Sequence, residues 1–134
     1  MATIKRVEHI GIAVENIDEA LKFYAGGLGL ELLERAEVAE QGVRVAFLPA
    51  GETHLELLEP LTPEAGMRKF LDKRGEGIHH ICLEVDDIQA ALDQLATQGY
   101  QLIDQKPRQG AHGKVAFVHP KSAHGVLIEL TQLH

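Results

Sequence analysis

The chain repeats itself. Residues 7–28 can be laid over residues 78–99 at an offset of 71, and His9, Ile10, Val14, Ile17, Ala20, Leu21 and Ala25 then fall on identical residues, His80, Ile81, Val85, Ile88, Ala91, Leu92 and Ala96. Further on, Val45-Ala46-Phe47-Leu48 matches Val115-Ala116-Phe117-Val118 at an offset of 70, and Leu55-Glu56-Leu57 matches Ile128-Glu129-Leu130 at an offset of 73. The offset changes only around Gly42 and Gly51 and their counterparts, where turns are expected. Insertions confined to turns are what a duplicated supersecondary unit shows. With 134 residues, the chain can build one compact core but not two independent domains.

Each copy has the same internal order. Residues 6–14 alternate, with Ile10, Ile12 and Val14 on one face and His9, Gly11 and Ala13 on the other, which is the pattern of a half-buried strand. Asn16 or Asp18 can cap a helix that carries Ile17, Ala20, Leu21 and Tyr24, and Gly26, Gly27 and Gly29 end it. Three strands follow, near 31–38, 43–49 and 53–59. The second copy predicts a strand over 78–85, a helix over 87–98 and strands near 101–104, 114–119 and 125–132. The expected fold is therefore α+β: two tandem β-α-β-β-β modules, about 5–60 and 77–133, joined by a linker helix over about 62–75 in a single domain 1–134.

The repeat pairs His9 with His80 on the first strand of each module and Glu56 with Glu129 on the last. A half-barrel sheet with antiparallel pairing can bring first and last strands together, and two such sheets would converge the four side chains. A lone strand histidine or glutamate is usually structural or solvated. Four of them at two repeat-equivalent pairs point instead to a metal site with the ligands His9, Glu56, His80 and Glu129. Two imidazoles and two carboxylates suit zinc, cobalt, nickel, manganese or ferrous iron, and they leave open positions for substrate oxygens. His79 is out of phase with His80. His54, His112, His119, His124 and His134 lie near turns or the C-terminus, where a surface role is the default. Cys82 shares the His80 face and reads as a small apolar residue.

Composition narrows the partners. The net charge of −7 disfavours a nucleic-acid surface, and no apolar run approaches the ~20 residues that span a bilayer. The single cysteine excludes an internal disulfide and suits a reducing compartment. With no secretory pattern at residues 1–9, the expected location is cytoplasmic.

On the repeated modules and these four residues, the chain resembles the vicinal oxygen chelate superfamily, which contains glyoxalase I and the extradiol dioxygenases. Within it, the closer resemblance is to the methylmalonyl-CoA epimerase family. It is carried by His9-Ile10-Gly11-Ile12-Ala13-Val14, Glu40-Gln41-Gly42-Val43, Glu56-Leu57-Leu58-Glu59-Pro60-Leu61, Gly77-Ile78-His79-His80-Ile81-Cys82 and Val85-Asp86-Asp87-Ile88. The most specific stretch is His119-Pro120-Lys121-Ser122 running into Gly125-Val126-Leu127-Ile128-Glu129-Leu130.

The resemblance implies a homodimeric isomerase that interconverts the R and S epimers of methylmalonyl-CoA by C2 proton abstraction through a metal-stabilised enolate. Cobalt is the implied ion, with zinc, nickel and manganese as alternatives. It implies Glu129 as one acid/base. Some relatives carry a second carboxylate on the strand that here reads Val43-Arg44-Val45-Ala46, which has none, so Glu56 stands in by pseudo-symmetry. Lys121, Ser122 and Gln41 are the implied acyl-CoA contacts, with Lys106, Arg108 and Lys114 as helpers. The alternatives are glyoxalase I, whose ligands would be the same, and a non-catalytic metal-dependent protein that binds a small molecule.

Overall fold

A computed structural model describes residues 2–110 and 112–134. The chain divides into two compact units, one made of residues His9–His79 and the other of Met1–Glu8 with His80–His134.

The His9–His79 unit holds the end of β1 (Ile4–Ala13), α1 (Ile17–Leu21), β2 (Glu34–Val38), β3 (Val43–Ala50), β4 (Thr53–Pro60) and α2 (Gly66–Arg74). Its strand order is β2-β3-β4-β1. The β2–β3 and β3–β4 pairs are antiparallel, whereas β1 and β4 run parallel, with His9 opposite His54 and Gly11 opposite Glu56. The first and last strands of the module thus meet by parallel pairing, where antiparallel pairing was expected. The cause is the connectivity. The helical crossover returns β2 in the direction of β1, and two hairpin reversals bring β4 back to the same direction.

Alternation along these strands sorts the side chains onto two faces. Ile12 and Val14 pack with Ile17, Ala20, Leu21 and Tyr24 of the helical segment and with Leu48, Leu55 and Leu57. The opposite face carries Ala13, Val43, Val45 and Leu58, which Met67 and Leu71 of α2 cover. His9, His54, Glu56 and Phe47 lie along this second face, beyond the part that α2 covers.

The other unit holds the start of β1, most of β5 (Gly77–Val85), α3 (Ile88–Thr97), β6 (Arg108–Gln109), β7 (Gly113–Val118) and β8 (Ile128–Leu133), in the strand order β5-β8-β7-β6. Again the first and last strands are parallel, with Cys82 opposite Glu129. Leu83, Val85, Ile128, Leu130, Ala116 and Val118 form the core beneath Ile88, Leu92 and Leu95 of α3. Residues 3–6 lie along β5, where Arg6 Nε donates to Glu84 at 2.7 Å and the Asp86 amide donates to the Thr3 carbonyl at 3.2 Å.

The helix starts are built alike. Asn16 accepts from the Glu19 amide at 2.9 Å and Asp87 from the Ala90 amide at 3.0 Å, so each caps its helix. A residue of the last strand takes the next orphan donor: Glu59 accepts from Ile17 N at 2.7 Å and Gln132 from Ile88 N at 2.9 Å. These contacts tie each crossover helix to the strand that carries the module's glutamate.

Four local expectations change. The first helix widens after Leu21 into a π-helical turn over Lys22–Gly27, closed by the Leu28 amide on the Phe23 carbonyl. Gly26 and Gly27 remove the side-chain support of a regular ladder at that point. Residues 101–104 form no strand, only a bridge from Leu102 to Val118. Asp104 takes the Phe117 amide on its carboxylate at 2.9 Å, a donor that a ladder strand would have used, and β6 pairs with β7 instead. The last strand begins at Ile128, since His124 and Gly125 hold left-handed φ values of 57° and 100°. The linker helix starts at Gly66, because residues 62–65 form a turn in which the Ala65 amide meets the Thr62 carbonyl.

Leu57 is fully buried next in sequence to Glu56. Leu57→Ala should cost about 2–5 kcal/mol of stability, read as a lowered midpoint in chemical denaturation.

Candidate functional site

In each unit the strand pairing brings a histidine to a glutamate. In the His9–His79 unit, His9 Nδ1 lies 3.2 Å from Glu56 Oε2. In the other, His80 Nε2 lies 3.1 Å from Glu129 Oε1. His9, His80 and Glu129 are buried, and the Glu56 side chain is 13 % exposed. Burying imidazoles and carboxylates on a strand face is costly unless they pair with one another or hold a cation, so this arrangement is not that of a solvated surface.

The surroundings of the two glutamates correspond. Phe47 of β3 stands opposite Glu56, and Phe117 of β7 stands opposite Glu129. On the parallel side the neighbours are Gly11 and Cys82, two residues beyond His9 and His80. The Phe117 ring lies edge-on to His80 at 6.3 Å, and the Arg108 guanidinium sits 5.7 Å above the same ring. Arg108 is anchored there by Asp104 at 3.1 Å.

The sequence reading missed one member of this group. His54, assigned to the surface beside a turn, places Nε2 at 2.9 Å from Glu56 Oε2. Its ring centroid is 5.3 Å from that of His9 and 5.8 Å from that of Phe47. One ligand atom from each of His9, His54 and Glu56 lies within 4.8 Å of the others. The signal was in the alternation: His54 and Glu56 are two apart on one strand and must share a face. Proximity to the Gly51 turn outweighed it. No helix among the described residues is long and apolar enough to cross a membrane.

These donors fit a divalent cation. Bonds of about 2.1 Å to imidazole nitrogen and carboxylate oxygen set neighbouring ligand atoms about 3.0–3.4 Å apart at octahedral or tetrahedral angles. The His9–Glu56 and His80–Glu129 separations of 3.2 and 3.1 Å are of that size, whereas His54 meets Glu56 at 2.9 Å, a hydrogen-bond distance.

The three expected acyl-CoA contacts lie on turns. Gln41 is exposed at the end of a 3-10 turn closed by Gly42 at φ 67°. Lys121 is exposed in the 3-10 turn Pro120–Ala123, whose start is capped by His119 Nδ1 accepting from the Lys121 amide at 3.0 Å. The Ser122 hydroxyl is engaged locally, accepting from the Gln101 amide at 2.8 Å and donating to the Gln101 carbonyl at 3.0 Å. Ser122 therefore pins the turn, and Lys121 presents the charge.

Known proteins resemble the chain over most of its length. The family model for the Glyoxalase/Bleomycin resistance protein/Dioxygenase superfamily matches residues 8–117. The mitochondrial methylmalonyl-CoA epimerase of Homo sapiens is 42% identical over 129 residues, which is 95% of this chain and 73% of that protein. The ethylmalonyl-CoA/methylmalonyl-CoA epimerase of Cereibacter sphaeroides is 41% identical over 133 residues, 97% of this chain and 99% of that protein. A solved structure of a methylmalonyl-CoA epimerase in complex with methylmalonyl-CoA and ammonium superposes with a TM-score of 0.90 at 36% identity, covering 98% of this chain and 96% of that one. With its repeated β-α-β-β-β modules and a match over most of its length, the chain belongs to the Glyoxalase/Bleomycin resistance protein/Dioxygenase superfamily and has the α+β vicinal oxygen chelate fold.

Proposed function

We propose that the chain is an isomerase that interconverts the R and S epimers of methylmalonyl-CoA. In this reading His9, Glu56, His80 and Glu129 are the ligands of one divalent cation, with cobalt the expected ion. The observation that carries the reading is the match to epimerases over nearly the whole chain, together with a histidine–glutamate pair around a buried histidine in each unit. The turn His119-Pro120-Lys121-Ser122 adds a group suited to coenzyme A phosphates: the exposed Lys121 ammonium, on a turn that Ser122 holds in place. The active form is proposed to be a cytoplasmic homodimer.

The chemistry follows from the substrate. Its C2–H bond lies between a thioester carbonyl and a carboxylate, so breaking it leaves an electron pair that delocalises into the thioester as an enolate. Glu129 takes the proton on one face, and the buried surroundings of its carboxylate keep bulk water from competing. Inversion requires a donor on the other face, and Glu56 is that group. His9 Nδ1 and His54 Nε2 both meet Oε2 of Glu56, which leaves Oε1 to carry the proton toward C2. A bound divalent cation would supply Lewis acidity toward the thioester and carboxylate oxygens of the substrate. The exchange balances without any further reactant: one proton leaves C2 and one returns to it.

Conversion of one pure epimer into the other by cobalt-loaded protein, followed by chiral separation of the acyl-CoA, is the test. Glu129→Gln should lower kcat by roughly 10²–10⁴-fold, the range for removing a general acid–base group. A Glu129→Gln variant as fast as the parent would contradict the assignment. Removal of divalent ions with a chelator should abolish turnover, and added cobalt should restore it. Turnover that persists in the fully chelated protein would sink the metal-dependent reading.

A further inference from the structure

We propose that His54 is a positioning residue that fixes the carboxylate of Glu56. This rests on Glu56 being a metal ligand and acid/base, as inferred above. The two side chains project from β4 two residues apart, and His54 Nε2 stands 2.9 Å from Glu56 Oε2. An ionised carboxylate only accepts hydrogen bonds, so the imidazole donates from Nε2. His9 Nδ1 reaches the same oxygen at 3.2 Å. The His54 donor on Oε2, with His9 Nδ1 beside the same oxygen, holds the carboxylate plane in one orientation.

Three features favour this role over a place among the metal ligands. The His54 side chain is 24 % exposed, against 8 % for His9 and for His80, so it occupies the rim of the polar group. Its ring packs obliquely on Phe47, at 51° and 5.8 Å, which orients the imidazole toward Glu56. The repeat also breaks here. At the offset of 73 that relates Glu56 to Glu129, His54 falls on Leu127, so Glu129 has no histidine two residues before it. His54 therefore distinguishes two glutamates that the duplication otherwise makes equivalent. Carboxylate ligands held by an outer hydrogen bond lose ~10–100-fold in metal affinity or activity when that bond is removed.

The test compares His54→Leu and His54→Ala, which lack a donor, with His54→Gln, whose amide can donate to Oε2. Circular dichroism confirms folding, and alanine serves if leucine disturbs it. The donorless variants should bind cobalt ~10–100-fold more weakly in chelator competition and lose kcat over a similar range, with KM for methylmalonyl-CoA within about twofold. His54→Gln should recover most of both losses. The number of imidazoles bound to cobalt, counted by X-ray absorption fine structure, should be the same with and without His54. Donorless variants with parental cobalt affinity and kcat would overturn the proposal. So would a glutamine variant as impaired as leucine, or loss of one cobalt-bound imidazole, which would make His54 a ligand. If the parent protein epimerises nothing, the function fails on its own, and cobalt affinity with the count of bound imidazoles still decides the role of His54.

Discussion

The parallel pairing of first and last strands within each module is the constraint on which the rest depends. It sets β4 beside β1 and β8 beside β5, so residues far apart in sequence become neighbours on one sheet face. Because strand side chains alternate, the same register that aligns Gly11 with Glu56 also puts Ile12 and Leu57 on the opposite face, under the helical segment. A slip of one residue would bury the glutamate beneath that helix and expose the aliphatics. Core packing and the polar groups are therefore held by one register, and the core's stability keeps the charged side chains in place.

Much of this was legible in the sequence because duplication writes each structural requirement twice. A histidine or glutamate on one strand means little. His9 with His80 and Glu56 with Glu129, at matched places in two copies, mean a shared geometry. Both histidine–glutamate contacts follow from that pattern. What the repeat could not reveal is where the copies differ. His54 has Leu127 as its counterpart, so no pairing drew attention to it, and its nearness to the Gly51 turn favoured a surface reading. The cap that Glu59 and Gln132 place on the helix starts was hidden for another reason: it joins segments remote in sequence. The π-helical turn and the missing strand at 101–104 depend on local competition for backbone donors. Asp104 shows this, since its carboxylate displaces a ladder bond that strand propensity alone would predict.

The two modules are also unequal around their histidine–glutamate pairs. Ala13 and Leu58 of one module, on the histidine–glutamate face, are covered by α2, while their counterparts Glu84 and Thr131 are polar. Glu84 is held by Arg6 at 2.7 Å. The two glutamates thus have different neighbours, although the histidine–glutamate pairing repeats. Enzymes of one superfamily can share a metal site and differ in reaction because such outer residues, and the turn that presents Lys121, are free to vary.

The most direct measurement of the central claim is deuterium uptake at C2. Cobalt-loaded protein would be incubated with methylmalonyl-CoA in deuterium oxide, and in parallel with the methylglyoxal–glutathione hemithioacetal. The account predicts loss of the C2 proton signal from the acyl-CoA and no turnover of the hemithioacetal. An unchanged C2 proton at full metal occupancy, or turnover of the hemithioacetal instead, would contradict it.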